Sequence, residues 1–169
     1  MNIISKVAFF VLFALSFQLV SAQNFSFVNT ADVLQSLPEV KQANSELETY
    51  RNQLINLGQK RVETLRSKYA DLEQRQAQGN ISPVQLEQET AALKDEEQQI
   101  MAFEQESQQK IVAKSEELLG PIRDKVQKAI DDVAKENNYS YVFDNSSGFI
   151  LYGDENVNIT SKVKTKLGL

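Results

Sequence analysis

The segment GNISP, residues 79–83, decides the fold, because it breaks a long polar stretch that runs over residues 39–119. Apart from this segment the stretch is almost free of Gly and Pro. It is rich in Gln, Glu, Lys, Ala and Leu, which lose little rotamer freedom in a helix. The sequence therefore predicts an antiparallel helical hairpin with its tip near residues 79–83. Such a hairpin offers few buried side chains, which favours gripping or spacing over catalysis.

The first predicted helix runs from about Pro38 to Gln78. Its start matches a capping box, Ser-Leu-Pro-Glu at residues 36–39, with Pro in the first turn. The apolar seam slips by one residue at Gly58, where we expect a bend or a local change of supercoil. Apolar residues recur three and four positions apart, as in a coiled coil: Val40, Ala43, Leu47, Tyr50, Leu54, Leu57, Val62, Leu65, Tyr69 and Leu72.

The return helix is predicted to begin at Ser82, where Ser-Pro-Val-Gln forms a second capping box with Pro83 at the first helical position. Pro121 should kink this helix, because proline removes a helical hydrogen bond and clashes with the preceding turn. The seam of the return helix is thin: Leu86, Leu93, Ile100, Phe103, Ile111 and Leu118.

The two ends of the chain, residues 23–38 and 120–169, are predicted to form a small β/α body, so the fold class is α+β. Residues 24–29 alternate apolar and polar side chains, which indicates a strand, and Asn29 can cap a short helix through Leu34. Residues 139–144 and 149–152 flank a turn and predict a β-hairpin. A short terminal helix is expected from about Thr160.

Strands of this body are apolar at successive positions, and strands apolar on both faces are buried on both faces. One face can lie on the chain's own helix, whereas the other needs a neighbour, so we expect the body to oligomerise. The predicted interface residues are Phe25, Phe27, Tyr141, Val142, Phe143, Phe149, Ile150 and Leu151.

The first 22 residues predict a cleavable signal peptide. Lys6 is their only charge, an apolar run follows it, and Val-Ser-Ala at residues 20–22 suits signal peptidase. The alternative, a retained anchor, is disfavoured because the run is shorter than the roughly 20 residues of a membrane span. The mature chain would begin at Gln23.

Composition excludes several function classes. Acidic side chains outnumber basic ones, 23 to 18, which argues against nucleic acid as a partner. The chain has no Cys and no His, so disulfides, thiol chemistry and the commonest general base and metal ligand are all missing. No spacing suggests catalytic, cofactor-binding or metal residues, and we expect neither an enzyme nor a cofactor.

Charge differs between the two predicted helices. Residues 43–79 carry six basic and five acidic side chains, whereas residues 83–119 carry three and nine. We therefore expect basic residues of the first helix to face carboxylates of the second: Arg51, Lys60, Arg61, Arg66 and Lys68.

Motifs at both ends resemble the Skp/OmpH family of periplasmic chaperones. They are FSFVNTADVLQ at residues 25–35, LGPI at 119–122, and YSYVFD at 139–144 before VNIT at 157–160. The resemblance implies a homotrimer in which strands of three subunits form a central barrel and three hairpins surround a cavity. It further implies an ATP-independent holdase of the Gram-negative periplasm, which keeps unfolded outer-membrane β-barrel proteins soluble.

Two consequences follow for partners. The hairpin residues that form the seam or face a client would be Leu65, Tyr69, Leu72, Leu86, Leu93, Ile100 and Phe103. Relatives have basic hairpins thought to act on negatively charged clients and lipopolysaccharide, whereas residues 70–95 here carry two basic and five acidic side chains. This difference argues against lipopolysaccharide binding.

Two alternative functions are less well supported by the sequence. A trimeric coiled-coil spacer or scaffold of the cell envelope, without clients, would have a continuous and strongly apolar seam. An adaptor of an efflux assembly would need further domains, which the short body cannot supply.

Overall fold

A computed structural model describes residues 24–169, so the predicted signal peptide lies outside the described residues. In chain order the elements are β1 (Phe25–Val28), α1 (Thr30–Ser36), α2 (Pro38–Ala77), α3 (Pro83–Glu136), β2 (Tyr141–Asp144), a 3-10 turn (Glu155–Val157) and α4 (Thr160–Lys166). The prediction of a mostly helical chain with a small β portion is confirmed.

The described residues divide into two units. The terminal unit contains residues 24–33 and 128–169, and the hairpin unit contains residues 34–127. Each has buried apolar residues of its own. The predicted body and hairpin, divided between residues 38 and 39 and between 119 and 120, stay a prediction.

Within the hairpin unit, α2 and α3 run antiparallel. Lys125 Nζ lies 2.6 Å from Glu39 Oε1, and Lys114 Nζ lies 2.9 Å from Glu46 Oε1. As the residue number rises on one helix it falls on the other, which is the arrangement that the turn at residues 79–83 predicts.

The start of α2 differs from the prediction in its cap. The N-cap residue is Leu37, which makes no side-chain capping bond, and Pro38 is the first helical residue. Ser36 is instead the last residue of α1. A residue before proline is driven out of the helical region, and Leu37 is extended, with φ −78° and ψ 123°. The boundary therefore falls one residue later than the capping box at residues 36–39 requires.

The start of α3 confirms the second capping box. The Ser82 backbone N–H donates to Gln85 Oε1, and the Gln85 backbone N–H donates to Ser82 Oγ, both at 3.3 Å. Gly79, with φ +68°, supplies the left-handed residue that ends the preceding helix. The tip thus satisfies several of the backbone groups that the two helix ends expose.

Pro121 lies inside α3, which continues to Glu136. The helix therefore passes through the position where the sequence predicts a kink, and the kink itself stays a prediction. The last turns of α3 belong to the terminal unit, where Ala129, Ile130 and Val133 are buried.

The terminal unit is built around a two-stranded parallel sheet. β1 pairs with β2 in a register that places Phe25 opposite Tyr141, and Phe27 forms a further parallel bridge to Asn158. Ser26 and Val28 are buried on one side of β1. The short helices follow the prediction, since Asn29 Oδ1 accepts from the Asp32 backbone N–H at the start of α1 and α4 begins at Thr160.

The predicted β-hairpin of residues 139–144 and 149–152 is wrong in its second strand. Residues 149–152 form no strand, and β2 pairs with β1 instead. The reason lies in the turn. The Asn145 backbone N–H donates to Val28 O at 2.8 Å, which continues the β1–β2 ladder by one bond. The Ser146 backbone N–H then donates to Asp144 Oδ1 at 2.9 Å, which makes a local turn. This local turn does not return the chain along β2.

Asp144 ties β2 to the start of α1. Its Oδ2 accepts from Thr30 Oγ1 at 2.7 Å and from Ser146 Oγ at 2.9 Å, and its Oδ1 accepts from the backbone N–H groups of both residues. Burial raises the pKa of the Asp144 carboxyl, but the hydrogen bonds from Thr30 and Ser146 together outweigh this effect and hold the pKa below its usual value.

Asp144→Asn should destabilise the terminal unit by about 1 kcal/mol at neutral pH, because an amide cannot accept all four bonds and water replaces only part of them. A depressed pKa contributes stability above the unfolded value and loses it as pH falls through the folded value. The difference in melting temperature between wild type and Asp144→Asn should therefore persist at pH 7 and shrink below pH 3.8. A difference that grows on acidification would contradict this role of Asp144.

Candidate functional site

The seven predicted hairpin residues lie in or against the interface between α2 and α3. Leu65, Leu72 and Leu93 form a buried cluster near the tip. Packed against it are Tyr69, Ile81, Leu86 and Ile100. Phe103 is buried farther along α3. These side chains stabilise the hairpin from inside, and a role of any of them toward a client stays a prediction.

Phe103 packs where the seam slips. A Cβ at Gly58 would lie 3.5 Å from Phe103 Cε1, so the ring is in ordinary contact distance of the bare backbone. Arg61 Cζ lies 4.3 Å from the ring centroid on α3, a cation–π contact. At the predicted slip, the small residue Gly58 therefore faces the large Phe103. The helix α2 continues through this position.

Beside Phe103 a groove of about 870 Å³ opens between α2 and α3. Leu54, Val62 and Ile111 contribute apolar side chains to it. Ser107 also lines the groove; it is 8% exposed, and its Oγ has no hydrogen-bond partner among the described residues. A buried hydroxyl left unpaired costs roughly 1–3 kcal/mol. Ser107 was not predicted from the sequence, although its position four residues after Phe103 places it on the seam side of α3.

Several large apolar side chains of the hairpin are exposed. They are Ile55, Leu57, Val84, Met101 and Val112. Leu57 was predicted in the seam, but the slip at Gly58 turns it toward solvent. The other four are outside the predicted seam, and a helical projection of the outer faces would have found them. Scattered exposed apolar residues provide weak, separate contacts rather than one pocket.

Ion pairs join the two helices at fewer of the predicted positions than expected. Of the five basic residues named from the sequence, Lys68 pairs across the hairpin, with Glu96, among the described residues. Arg51 pairs within its own helix. A further pair near the tip was not predicted from the sequence: the Arg75 guanidinium donates two hydrogen bonds to the Glu89 carboxylate. These bonds raise the pKa of Arg75 and lower the pKa of Glu89.

The terminal unit exposes an aromatic face. The rings of Phe25 and Tyr141 stack at 5.7 Å between centroids, and Phe143 lies 6.1 Å from Phe25. All three are about half exposed, whereas Phe27, on the same side of β1, is buried. One side of the sheet is therefore buried within the chain and much of its aromatic side is open, and a role of these residues in an interface stays a prediction.

Residues 149–152 continue the open apolar surface. Leu151 is 98% exposed, Tyr152 88% and Phe149 86%. Gly153 then passes so close to Phe27 that a Cβ there would lie 2.5 Å from Phe27 Cε1. A hollow of about 350 Å³ lies beneath this segment, lined by Phe25, Phe27, Phe143, Ile150 and Tyr152 among others. Fully exposed side chains of this size are unusual for a free surface.

Within residues 24–169 no group of three or more Asp and Glu side chains is placed to hold a metal ion. Helices in the same part of the chain also fall short of the length and apolar character that crossing a membrane requires. The arrangement offers association surfaces and a groove.

Comparison with known proteins finds a matching family model and similar solved structures. The model of the family described as outer membrane protein (OmpH-like) matches residues 24–167. The structure is similar to the crystal structure of a protein from Caulobacter crescentus CB15, assigned as an OmpH-like outer membrane chaperone. That match has a TM-score of 0.73 and 17% identity, and covers 87% of this chain and 85% of the other. No curated protein matches the sequence.

Proposed function

This chain belongs to the OmpH-like family of outer membrane proteins, and we propose on that premise that it is an ATP-independent holdase chaperone of the periplasm. Its clients would be unfolded outer-membrane β-barrel proteins, which it would keep from aggregating. The described Caulobacter protein, assigned as an outer membrane chaperone, supports a chaperone role. No enzymatic step and no cofactor form part of this proposal.

The observation that carries the proposal is the hairpin of α2 and α3. Its buried apolar side chains pack in a thin internal seam, while large apolar side chains such as Val84, Met101 and Val112 are exposed along the helices. Contacts of this kind are individually weak, but several on linked hairpins act together through effective concentration. A client would thus be held without any single strong site.

A homotrimer, with strands of three subunits in a central barrel, is the second part of the proposal. The open aromatic side of the β1–β2 sheet and the exposed residues 149–152 support association through the terminal unit. Apolar side chains that are uncovered within the chain, such as Leu151, can be covered by a neighbouring copy. That the oligomer has three subunits is inferred from the family resemblance.

The interrupted seam favours the holdase over a spacer or scaffold without clients. A spacer requires continuous knobs-into-holes packing, whereas Gly58 and Ser107 leave a groove in the middle of this hairpin. The acidic α3 offers no basic patch for lipopolysaccharide, which we leave out of the proposed partners.

The test is aggregation of an outer-membrane β-barrel protein that is diluted from urea. Light scattering by the client should be suppressed when the purified mature protein is present in excess, and added ATP should change nothing. A protein of similar size and charge without a helical hairpin is the control. Unchanged client aggregation at saturating concentrations would reject the holdase.

Salt should not weaken the binding of acidic clients. Residues 83–119 carry nine acidic and three basic side chains, so long-range attraction to an acidic client is unfavourable. Raising salt until the Debye length falls from about 10 Å to about 3 Å should leave protection unchanged or improve it. The measurement is client aggregation across a salt series, and a steep loss of protection would refute the charge argument.

A further inference from the structure

We propose that the groove beside Gly58 and Ser107 binds an extended, apolar polypeptide segment that carries a lysine or arginine. The inference rests on the proposed function, of which it names one contact. It goes further by assigning the place, the chemistry and the polarity of that contact.

Small residues create the groove. Gly58 has no side chain and Ser107 a short one, at neighbouring positions in the seam between α2 and α3. The Gly58 position has room for a methyl group, since a Cβ would be in ordinary contact with Phe103 at 3.5 Å. A packed hairpin would place larger apolar side chains here, and this one leaves about 870 Å³ open.

The unpaired hydroxyl of Ser107 indicates the chemistry of the occupant. Its Oγ is buried without a hydrogen-bond partner among the described residues, in a groove otherwise lined by side chains such as Leu54, Val62 and Ile111. When the Ser107 side chain turns about its Cα–Cβ bond toward the groove, its hydroxyl can donate to a carbonyl oxygen there. An extended polypeptide presents carbonyl groups along its whole length, whereas the chain of a fatty acid has none between its ends. A polypeptide therefore suits this groove better than an acyl chain.

The length of the groove suits a short extended segment. Its lining on α2 runs from Leu54 to Arg66, which corresponds to roughly 18 Å of helix. About five residues of extended chain span that length. Every second side chain of such a segment would point into the groove.

The charge at the rim favours a cation on that segment. Glu63 on α2 and Glu104 on α3 line the groove, and within residues 24–169 neither forms an ion pair. Arg66 is the cation of the lining, so the rim carries a net negative charge. The acidic composition of residues 83–119 adds to it. A lysine or arginine beside the apolar side chains of the occupant would complement this rim.

Binding can be measured with a synthetic peptide in which leucine and threonine alternate around a central lysine. About seven residues suffice to fill the groove. A neutral fluorophore on its N-terminus reports binding to the full mature protein through fluorescence anisotropy. A second peptide carries glutamate in place of the lysine, and dodecanoate serves as the acyl-chain probe.

Ser107→Leu fills the groove and should weaken binding of the lysine peptide about tenfold. Gln99→Leu is the matched control, because it places the same side chain at an exposed position of the same helix, outside this groove. Its affinity should stay within about twofold of wild type. Equal affinity of Ser107→Leu and wild type overturns the proposal.

Two further variants separate the contribution of the groove's shape from that of the charge at its rim. Gly58→Ala narrows the groove without a steric conflict, so it should fold and weaken binding even if Ser107→Leu does not fold. Glu63→Gln with Glu104→Gln should remove the preference for the lysine peptide over the glutamate peptide. Peptide binding that survives Gly58→Ala unchanged, or tight dodecanoate binding that displaces the peptide in wild type, would overturn the assignment.

NMR spectroscopy of the wild-type protein locates the bound peptide independently of any substitution. Methyl resonances of Ile55, Val62 and Ile111 should shift on addition of the peptide, whereas that of Val84, near the tip, should not. The client-aggregation assay separates this inference from the proposed function. Protection without peptide binding in the groove overturns the groove alone, and peptide binding without protection overturns the holdase while the groove stands.

Discussion

Replacing residues 58–103 by the tip sequence of residues 79–83 should abolish protection of a urea-diluted client while the oligomer persists. The two ends of the deletion lie at the same level of the hairpin, because Gly58 on α2 and Phe103 on α3 are neighbours. The shortened hairpin keeps the ion pairs of Glu39 and Glu46 with α3. It loses the tip cluster, the groove and the exposed side chains of the outer hairpin, including Val84 and Met101.

The expected loss is complete because avidity depends on the number of contacts that act together. Val84→Ser is the matched control: it removes one exposed apolar side chain from an intact hairpin, and protection should stay close to that of wild type. Client light scattering gives the activity, and sedimentation equilibrium gives the oligomeric state. Equal protection by the shortened protein would refute the role of the hairpin.

Leu151→Asp should dissociate the proposed trimer. Leu151 is 98% exposed within one chain, so the carboxylate costs nothing in an isolated subunit. If a neighbouring copy covers this side chain, the same change buries an unpaired charge at a cost of several kcal/mol. Ile150 and Val142 are partly buried within their own chain, and aspartate there would also disturb the subunit fold.

Light scattering should therefore give a trimer for wild type and a monomer for Leu151→Asp, with unchanged helical circular dichroism. Ser147→Asp is the control, because it adds the same charge at an exposed position of the preceding turn. A monomeric wild type, or a trimer that tolerates Leu151→Asp, would exclude residues 149–152 from the interface.

Local signals in the sequence predicted the elements well. The bounds of α2 and α3, the Ser82–Gln85 capping box and the Asn29 cap follow from proline, glycine and short polar side chains acting over one turn. The seam residues Leu65, Leu72 and Leu93 are buried as their spacing predicts. Both kinds of signal depend on neighbours that are close in sequence.

Apart from the cap at residues 36–39, the wrong or missed predictions concern features that depend on a partner elsewhere in the fold. Apolar composition predicted a strand at residues 149–152, but the course of the chain after β2 is set by Asp144, which accepts hydrogen bonds from Ser146 and from the distant Thr30. Similarly, the cross-hairpin pair of Arg75 and Glu89 depends on the exact register of two helices, which composition does not provide. The unpaired Ser107 hydroxyl follows from the same register.

The pairing of β1 with β2 also implies an order of folding events during synthesis. Phe25 pairs with Tyr141, and Phe27 bridges to Asn158, so the first strand waits for partners more than a hundred residues later in the chain. Helical contacts near the tip at residues 79–83 are local and form early, whereas such distant pairings form late. A chain that emerges from its N-terminus would thus fold its hairpin first, and its association surface would be completed only when residue 158 has followed.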